Sequence, residues 1–318
     1  MNILLTGAAG FIGSHTLKAL SNRGDFVVGV DNLNNYYSPE YKKLRITEFL
    51  AECKFDFYQL NIQDEPALDK LFKDYKFDKV VHFAAQAGVR YSLEHPQLYI
   101  DYNISGFNQI LESMVKYQVQ DLVFASSSSV YGGIVKRPLA EDMPLNKPLS
   151  LYAASKIANE AQAHAYHYLY GLNCYGLRFF NVYGPWGRPD LALYKFLKLI
   201  EDKKPIEIYN QGRHRRDFTH VDDLVQGILS AIDRVQGCEM INLAGGNSIK
   251  LTYLVDMIEL ILGREVAKLY VSLQKGDIIN TRASLKKAEE LLNFKPQITF
   301  EHGVNECINW FRMYKNII

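Results

Sequence analysis

The amino-acid sequence predicts an α/β protein, a doubly wound parallel sheet joined to a smaller α/β domain that would bind substrate. Three observations lead to this prediction. Short apolar runs alternate with helical patterns through residues 1–180, and strands spaced by helices form parallel sheets. A glycine-rich turn follows the first apolar run, as in folds that bind ligands at the carboxyl ends of their strands. The length of 318 residues suits two domains.

The first predicted strand, residues 3–5, runs directly into a turn with glycines at positions 7, 10 and 13, and a helical pattern follows over residues 14–21. Glycine permits a tight turn and close packing of helix on strand. The amides at the start of the helix would meet a pyrophosphate, because the helix dipole favours negative charge there. This context indicates a dinucleotide site.

The second predicted strand, residues 26–30, ends in Asp31, which lies 18 residues after Gly13. An acidic residue at about this distance binds the hydroxyls of the adenosine ribose. A carboxylate also repels a 2′-phosphate, so the sequence predicts NAD rather than NADP as the cofactor. The alternative is an aspartate that only caps a loop.

Three further strands are predicted at residues 55–60, 79–83 and 122–125, with helices at 65–75 and 104–116. Each of these strands ends at residues that could line a site, as the first two end at Gly7 and Asp31. Because the carboxyl ends of parallel strands meet at one edge of a sheet, we expect these residues to share a site. They are residues 61–62, 83–85 and 126–129.

Tyr152 and Lys156 lie four residues apart in what looks like the start of a helix. Residues with this spacing share a helix face, with Cβ atoms about 5–6 Å apart. A phenol titrates near a pKa of ~10, and an adjacent ammonium favours the phenolate. Tyr152 could therefore take and return a proton near neutral pH. The alternative is a half-buried tyrosine beside a surface lysine.

Composition excludes several other classes of protein. The formal net charge is +1, so neither a nucleic acid nor an anionic membrane surface is the expected partner. No apolar run approaches the ~20 residues that span a bilayer, and the early first strand leaves no room for a secretory signal. The four cysteines are far apart and form no CxxC pair. We therefore expect a cytoplasmic protein with reduced thiols and no metal site.

Residues 6–13, 126–129 and 152–156 together resemble the extended short-chain dehydrogenase/reductase family, and within it the NAD-dependent nucleotide-sugar 4-epimerases. Three long stretches are similar to UDP-glucuronate 4-epimerases, and they are residues 31–37, 84–92 and 178–190. The resemblance implies a Rossmann-like fold, NAD as cofactor, and 4-epimerisation of a UDP-sugar through a transient 4-keto intermediate. UDP-glucuronate to UDP-galacturonate is the expected reaction, in the service of polysaccharide biosynthesis.

The resemblance also implies roles for individual residues. Ser127, which lies 25 residues before Tyr152, would be the catalytic serine, although Ser128 and Ser129 are close enough to be confused with it. Lys156 would lower the pKa of Tyr152 and bind the nicotinamide ribose. Asn61 stands where relatives commonly have aspartate, and its amide can still hydrogen-bond adenine. The implied dinucleotide contacts are Gly7, Gly10, Phe11, Ile12, Gly13, Asp31, Asn32, Asn61, Ile62, Phe83, Ala84, Ala85, Asn103, Tyr152 and Lys156.

The second half of the chain is expected to bind the nucleotide sugar. Residues 213–216 form a basic cluster, and arginine makes charge-assisted contacts with diphosphates; the alternative is a solvated turn. Arg188 would bind or orient the C5 carboxylate of a hexuronate. That arginine could instead only hold its loop, leaving the carboxylate to the serines or to backbone amides. The substrate contacts implied are Arg90, Ser127, Ser128, Asn181, Arg188, Arg216, Gln274 and Asp277.

We divide the chain into an NAD-binding domain, residues 1–180, and a nucleotide-sugar-binding domain, residues 181–318, with a segment near 217–245 returning to the first. Relatives pair the helices corresponding to residues 99–116 and 152–168, so a homodimer is expected.

Four other functions compete with this reading. A UDP-glucose/UDP-galactose 4-epimerase would share every catalytic residue, and a UDP-glucuronate decarboxylase would share the oxidation step. A 4,6-dehydratase normally needs an Asp-Glu pair near the catalytic hydroxyl, which residues 127–129 do not supply. A binding protein that only senses the dinucleotide would often lack the Tyr152 and Lys156 pair.

Overall fold

A computed structural model of the chain describes residues 1–273 and 278–315. Strands and helices alternate through its first half, as the sequence predicts. The strands are β1 (Asn2–Thr6), β2 (Phe26–Asp31), β3 (Phe55–Gln59), β4 (Lys79–His82), β5 (Asp121–Ser127), β6 (Asn173–Phe179), β7 (Val182–Tyr183), β8 (Ile206–Tyr209), β9 (Arg215–Asp217), β10 (Thr219–His220), β11 (Cys238–Leu243), β12 (Ser248–Lys250) and β13 (Lys268–Val271).

The longer helices follow the same alternation. They are α1 (Phe11–Arg23), α2 (Pro39–Leu44), α3 (Glu65–Tyr75), α4 (Gly106–Lys116), α5 (Leu151–Tyr170), α6 (Ala192–Glu201), α7 (Val221–Arg234), α8 (Leu251–Leu262), α9 (Lys286–Leu292) and α10 (Phe300–Tyr314). Other helical segments occupy Arg45–Phe49, Tyr91–Glu94, Pro96–Leu98, Tyr99–Ser105, Ser128–Tyr131 and Asn210–Gly212. Within residues 1–273 and 278–315, no helix combines the length and apolarity needed to cross a bilayer.

Seven strands form the central sheet in the order β11-β6-β5-β4-β1-β2-β3, and every pairing in it is parallel. Alternate residues of each strand enter opposite cores, because successive side chains of a strand point to opposite faces. Ile3 and Val27 pack with α1, α7 and α9, whereas Leu4 and Val28 pack with α3 and α4. This is the predicted doubly wound α/β fold, and the prediction is confirmed.

A second, smaller region lies beside the carboxyl ends of the sheet. It contains three pairs of short strands, β7 with β10, β9 with β12 and β8 with β13. Its core packs α6, α8 and α10 together, and Tyr41 of α2 is fully buried in the same core. The chain then returns to the large sheet through β11, which pairs with β6. The division of the chain into domains at residues 180 and 181 stays a prediction.

Candidate active site

A cavity of about 400 Å³ opens at the carboxyl ends of β1, β2, β4 and β5, facing the second region. The end of each of these strands contributes to its wall, through Gly7, Asp31, Phe83 and Ser127. Residues of the second region, including Arg188, close the other side. The predicted edge of the sheet therefore carries the site.

The glycine turn forms a cradle that side chains would fill. Gly7 adopts a φ of +73°, and a Cβ there would come within 2.7 Å of the Ala84 nitrogen. A Cβ on Gly13 would lie 2.0 Å from the Gly7 carbonyl oxygen, so α1 can approach the turn this closely only without one. Gly10 caps α1 without a side-chain hydrogen bond, which leaves the first amides of the helix to face the cavity. The cradle fits a dinucleotide pyrophosphate.

Asp31 lies at the end of β2, on the cavity wall. Its two carboxylate oxygens accept hydrogen bonds from the amides of Ala9, at 3.1 Å, and Leu33, at 2.9 Å. Burial raises the pKa of this carboxyl, and the two amides and the cations of Lys42 and Arg45 oppose the rise. The fixed oxygens keep lone pairs that can accept ribose hydroxyls.

Tyr152 and Lys156 lie in the first turns of α5, which begins where Ser150 accepts a hydrogen bond from the Ala153 amide at 3.1 Å. Both residues line the cavity together with Ser127. The Lys156 ammonium donates to the Ala125 carbonyl oxygen at 2.8 Å. Burial lowers the pKa of Lys156 to about 8, against the opposing negative charge of Glu160.

The electrostatics of Tyr152 differ from the sequence prediction that Lys156 lowers its pKa. Burial raises the pKa of Tyr152, and the groups that oppose the rise are the Ser127 hydroxyl and the positive charge of Arg188. The physical reason is the position of the ammonium, because Lys156 is bound to a backbone carbonyl of β5. In the protein alone, Ser127 and Arg188 are therefore the groups that limit the rise in the pKa of Tyr152.

Arg188 reaches the cavity from the loop that precedes α6, and its side chain is 26% exposed. Its Nε and Nη2 atoms donate to the two carboxylate oxygens of Asp190 at 3.0 and 3.1 Å. The Tyr36 hydroxyl donates to the same carboxylate at 3.0 Å. Two loops that are distant in the sequence therefore hold the guanidinium in place.

Comparison with known proteins gives the chain a family. Residues 3–244 match the NAD dependent epimerase/dehydratase family, and this range includes the glycine turn, Asp31 and the Tyr152 and Lys156 pair. The chain belongs to this family.

Relatives within the family resemble the chain along almost its whole length. A UDP-glucuronate 4-epimerase of Thermodesulfobacterium geofontis is 42% identical over 96% of this chain and 95% of its own. The structure of a Bacillus cereus UDP-glucuronic acid 4-epimerase, in complex with UDP-glucuronic acid and NAD, superposes with a TM-score of 0.92 at 33% identity, covering 98% of this chain and 99% of that one. A Thermotoga maritima UDP-glucose 4-epimerase with UDP-glucose gives 0.90 at 30% identity, covering 99% and 100%.

Most of the residues predicted for this epimerase-family site lie together on the cavity wall. They include the serine, tyrosine and lysine of the predicted catalytic set and most of the predicted dinucleotide contacts. The lining contains Gly7, Gly10, Phe11, Ile12, Gly13, Asp31, Asn32, Ile62, Phe83, Ala84, Ala85, Ser127, Ser128, Tyr152, Lys156, Asn181, Arg188 and Arg216. Gln274 and Asp277 lie outside the described residues.

Three predicted residues stand apart from the described lining. Asn103 is buried and joins the Gln86 backbone, at 2.7 and 3.0 Å, to the Ser155 hydroxyl, at 3.0 Å, so it fixes the loop after β4 against α5. The Asn61 side chain accepts from the Gln63 amide at 3.2 Å. The Arg90 guanidinium lies over the Tyr209 ring at 4.6 Å.

Sequence reasoning missed several residues of the wall and its support. Tyr36, Tyr37 and Lys42 line the cavity, and the Lys42 ammonium donates to the Asn34 carbonyl oxygen at 2.7 Å. Burial lowers the pKa of Lys42 to about 8. Tyr36 and Tyr37 lie in the family-like stretch 31–37, in which the resemblance assigns roles only to Asp31 and Asn32, whereas Lys42 lies outside that stretch. In the described part of the chain, no group of three or more His, Cys, Asp or Glu side chains is arranged to hold a metal ion.

Proposed function

We propose that this member of the epimerase family is an NAD-dependent UDP-glucuronate 4-epimerase, which interconverts UDP-glucuronate and UDP-galacturonate through a transient 4-keto sugar. The observation that carries the proposal is the single cavity in which Ser127 and Tyr152 lie between a dinucleotide cradle and the Arg188 guanidinium. The names of the Thermodesulfobacterium and Bacillus relatives support it.

The cradle of Gly7, Gly10 and Gly13 would hold the pyrophosphate of NAD at the start of α1. The Asp31 carboxylate would accept hydrogen bonds from the hydroxyls of the adenosine ribose. The Lys156 ammonium, which is held at the Ala125 carbonyl oxygen, would donate a hydrogen bond to the nicotinamide ribose. When bound, NAD supplies the reversible two-electron oxidation of the alcohol at C4 of the sugar. The protein's own groups must therefore manage the proton, the orientation of the sugar and the fate of the C5 carboxylate.

Tyr152 would remove the proton of the C4 hydroxyl as the alcohol is oxidised, and it would return a proton to the C4 oxygen as the ketone is reduced on its other face. A base works best when its pKa lies near the working pH, and burial opposes this for Tyr152. The Ser127 hydroxyl and the Arg188 charge favour the phenolate. Ser127 would also hydrogen-bond the C4 oxygen and so align it with the phenol.

The sugar must turn over between the two proton transfers, so its contacts have to be weaker than those of the nucleotide. Arg216 and Asn181, on the wall toward the second region, would hold the diphosphate with charge-assisted bonds. A guanidinium with two donors engaged by Asp190 keeps other N–H groups for the C5 carboxylate. Because a 4-keto hexuronate is a β-keto acid, holding this carboxylate aside would protect it from loss of CO₂.

One incubation distinguishes the proposed epimerase from a decarboxylase and from a hexose epimerase. Purified protein is mixed with UDP-glucuronate without added NAD, and the products are followed by NMR and mass spectrometry. UDP-galacturonate is expected. Release of CO₂ with a UDP-pentose would identify a decarboxylase, and a higher kcat/KM with UDP-glucose would identify a hexose epimerase. Failure of all three would refute the proposal.

We also propose a cytoplasmic homodimer that pairs α4 and α5. The carboxyl end of α5 exposes Tyr168 at 83%, Leu169 at 64% and Tyr170 at 52%, and exposed apolar clusters of this kind mark protein contacts.

The four cysteines are free thiols, which fits the reducing compartment proposed for the protein. Light scattering coupled to size exclusion should give a mass of twice 36.4 kDa, and fractionation of the source cells tests the location.

A further inference from the structure

A buried network of charged and polar side chains lies behind the candidate active site. Glu160 on α5 and Arg178 on β6 are 8% and 3% exposed. The Nε and Nη2 atoms of Arg178 donate to the two carboxylate oxygens of Glu160 at 2.9 and 2.8 Å. Such two-pronged pairing fixes both direction and distance between two elements. The ion pair therefore joins the helix that carries Tyr152 to the central sheet.

The same carboxylate reaches the strand that carries the serines. The Ser126 hydroxyl donates to Glu160 at 2.5 Å. Ser126 stands between Ala125, whose carbonyl oxygen binds Lys156, and Ser127 on the cavity wall. The Glu160 carboxylate thus holds the end of β5 at Ser126, between Ala125, which binds Lys156, and Ser127, which lines the cavity.

Arg178 extends the network beyond the serines. Its Nη1 atom donates to the Tyr131 hydroxyl at 2.8 Å, and that hydroxyl donates to the Asn242 amide oxygen on β11 at 2.7 Å. Tyr131 closes the helical turn that begins at Ser128. Residues 126–131, the serine segment, are therefore anchored at both ends, by Ser126 and by Tyr131.

Glu160 also lies one helical turn beyond Lys156, as Lys156 lies one turn beyond Tyr152. Residues four apart on a helix have Cβ atoms about 5–6 Å apart. A buried pair of charges contributes little net stability, and its strongest use is to fix one arrangement. The pair of Glu160 and Arg178 is placed to fix one arrangement of α5 on the central sheet.

We propose that Glu160 is a positioning residue for the reaction, which with Arg178 locks α5 against the serine segment. The Glu160 carboxylate, one helical turn from Lys156, also favours the protonated form of that lysine. The proposal rests on the proposed epimerase function for its catalytic consequence, but not for the electrostatic one. Glu160 is not itself among the residues that line the cavity, and it reaches the site through Ser126, which is one of them.

The groups that face Lys156 come from three elements. Glu160 and Tyr152 lie on α5, and the Ala125 carbonyl lies on β5. His82 on β4 is also near enough to sense the lysine charge, and burial lowers the pKa of His82 to about 3, so it is neutral at working pH. Glu160 is thus the anion that opposes the effect of burial on Lys156.

The test measures the titration of Lys156 directly, without substrate. Protein labelled with ¹³C at the lysine Cε is titrated by NMR, and Lys156→Arg identifies the resonance. Glu160→Gln keeps the shape and removes the charge, so the pKa of Lys156 should fall by about one unit. The matched control is Asp223→Asn, which neutralises a buried carboxylate that binds the amides of Gln297 and Ile298 at 2.9 and 3.0 Å. The control should leave Lys156 unchanged, and an unchanged Lys156 in folded Glu160→Gln overturns the electrostatic part.

A second variant tests the positioning part and keeps both charged side chains of the ion pair. Ser126→Ala removes the bond from the serine segment to Glu160, so kcat for UDP-glucuronate should fall about tenfold with KM nearly constant. In Glu160→Gln the alkaline limb of the kcat profile should move to lower pH with the Lys156 titration. Full kcat in Ser126→Ala overturns the positioning part. If wild-type protein does not turn over UDP-glucuronate while Lys156 still shifts in Glu160→Gln, the proposed function fails and the electrostatic part stands.

Discussion

The two ends of the cavity are built in different ways. The end proposed to bind the cofactor, the cofactor end, is made largely of backbone, from a turn at residues 7–13 whose glycines leave no room for a Cβ. The end proposed to bind the sugar, the sugar end, is made of side chains from distant loops, as the bond from Tyr36 to Asp190 across 154 positions illustrates. Backbone can change little without losing the fold, whereas a side chain changes by one substitution. Epimerases named for UDP-glucuronic acid and for UDP-glucose both superpose on this chain, with TM-scores of 0.92 and 0.90, so a shared backbone accommodates different sugars.

The sharpest test of the comparison removes chemistry and leaves both ends intact. Tyr152→Phe should lower kcat about 1,000-fold, because general acid–base catalysis contributes 10²–10⁴-fold. The NAD content of the purified protein, measured after denaturation, should match wild type. Tyr270→Phe, which changes a tyrosine of β13 that is 49% exposed, should keep full activity. Rates near wild type in Tyr152→Phe would show that another group is the base.

The cofactor end should fail as a whole when its backbone is disturbed. Gly13→Ala places a Cβ 2.0 Å from the Gly7 carbonyl, and the resulting displacement of α1 should weaken NAD binding about 100-fold. Isothermal titration with NAD measures the effect. Gly133→Ala is the matched control, since its Cβ meets only Leu149 at 3.8 Å. An unchanged Kd in Gly13→Ala would mean that the cradle does not bind the pyrophosphate.

The sugar end should change its preference without loss of the cofactor. Arg188→Gln removes the cation proposed for the C5 carboxylate, so kcat/KM for UDP-glucuronate relative to UDP-glucose should fall about 100-fold. NAD content should not change. Arg23→Gln removes an arginine paired with Asp233 on the surface at 2.8 Å and should leave the ratio alone. A constant ratio in Arg188→Gln would assign the carboxylate to the serines or to backbone amides.

The smallest expected effect is on stability in acid, beneath the cofactor end. Burial lowers the pKa of His82 to about 3, and its Nδ1 lies 2.8 Å from the Thr6 hydroxyl. Below pH ~6.5 the unfolded histidine binds a proton that the folded one does not, so this group destabilises the fold by about 1.4 kcal/mol per pH unit down to pH 3.

Urea unfolding at pH 7 and pH 5 checks this sign. The loss between the two should be about 2 kcal/mol smaller in His82→Asn than in wild type. His302→Asn, whose side chain is 63% exposed, should behave as wild type. An equal loss in all three proteins would show that His82 is not the group responsible.

The same difference between the two ends decides what the sequence could predict. The glycine turn, Asp31 and the pair Tyr152 and Lys156 are local patterns, and the structure brings them to one cavity. The bond from Tyr36 to Asp190, which holds the partner of Arg188, depends on how loops from both halves meet, and no local pattern encodes that meeting. The pKa of Tyr152 depends on burial and on where an ammonium points, and spacing along a helix cannot give either.

Arg45 carries a practical consequence for protein engineering. This arginine is fully buried and donates from Nη1 to the Ala9 carbonyl at 3.0 Å and from Nη2 to the Trp186 carbonyl at 2.7 Å. Its neighbour Tyr41 donates to the Gly187 carbonyl at 2.9 Å. Residues 32–49 therefore join the two halves of the protein. A chimera that grafts the second half of a relative onto this sheet should also take residues 32–49 from that relative.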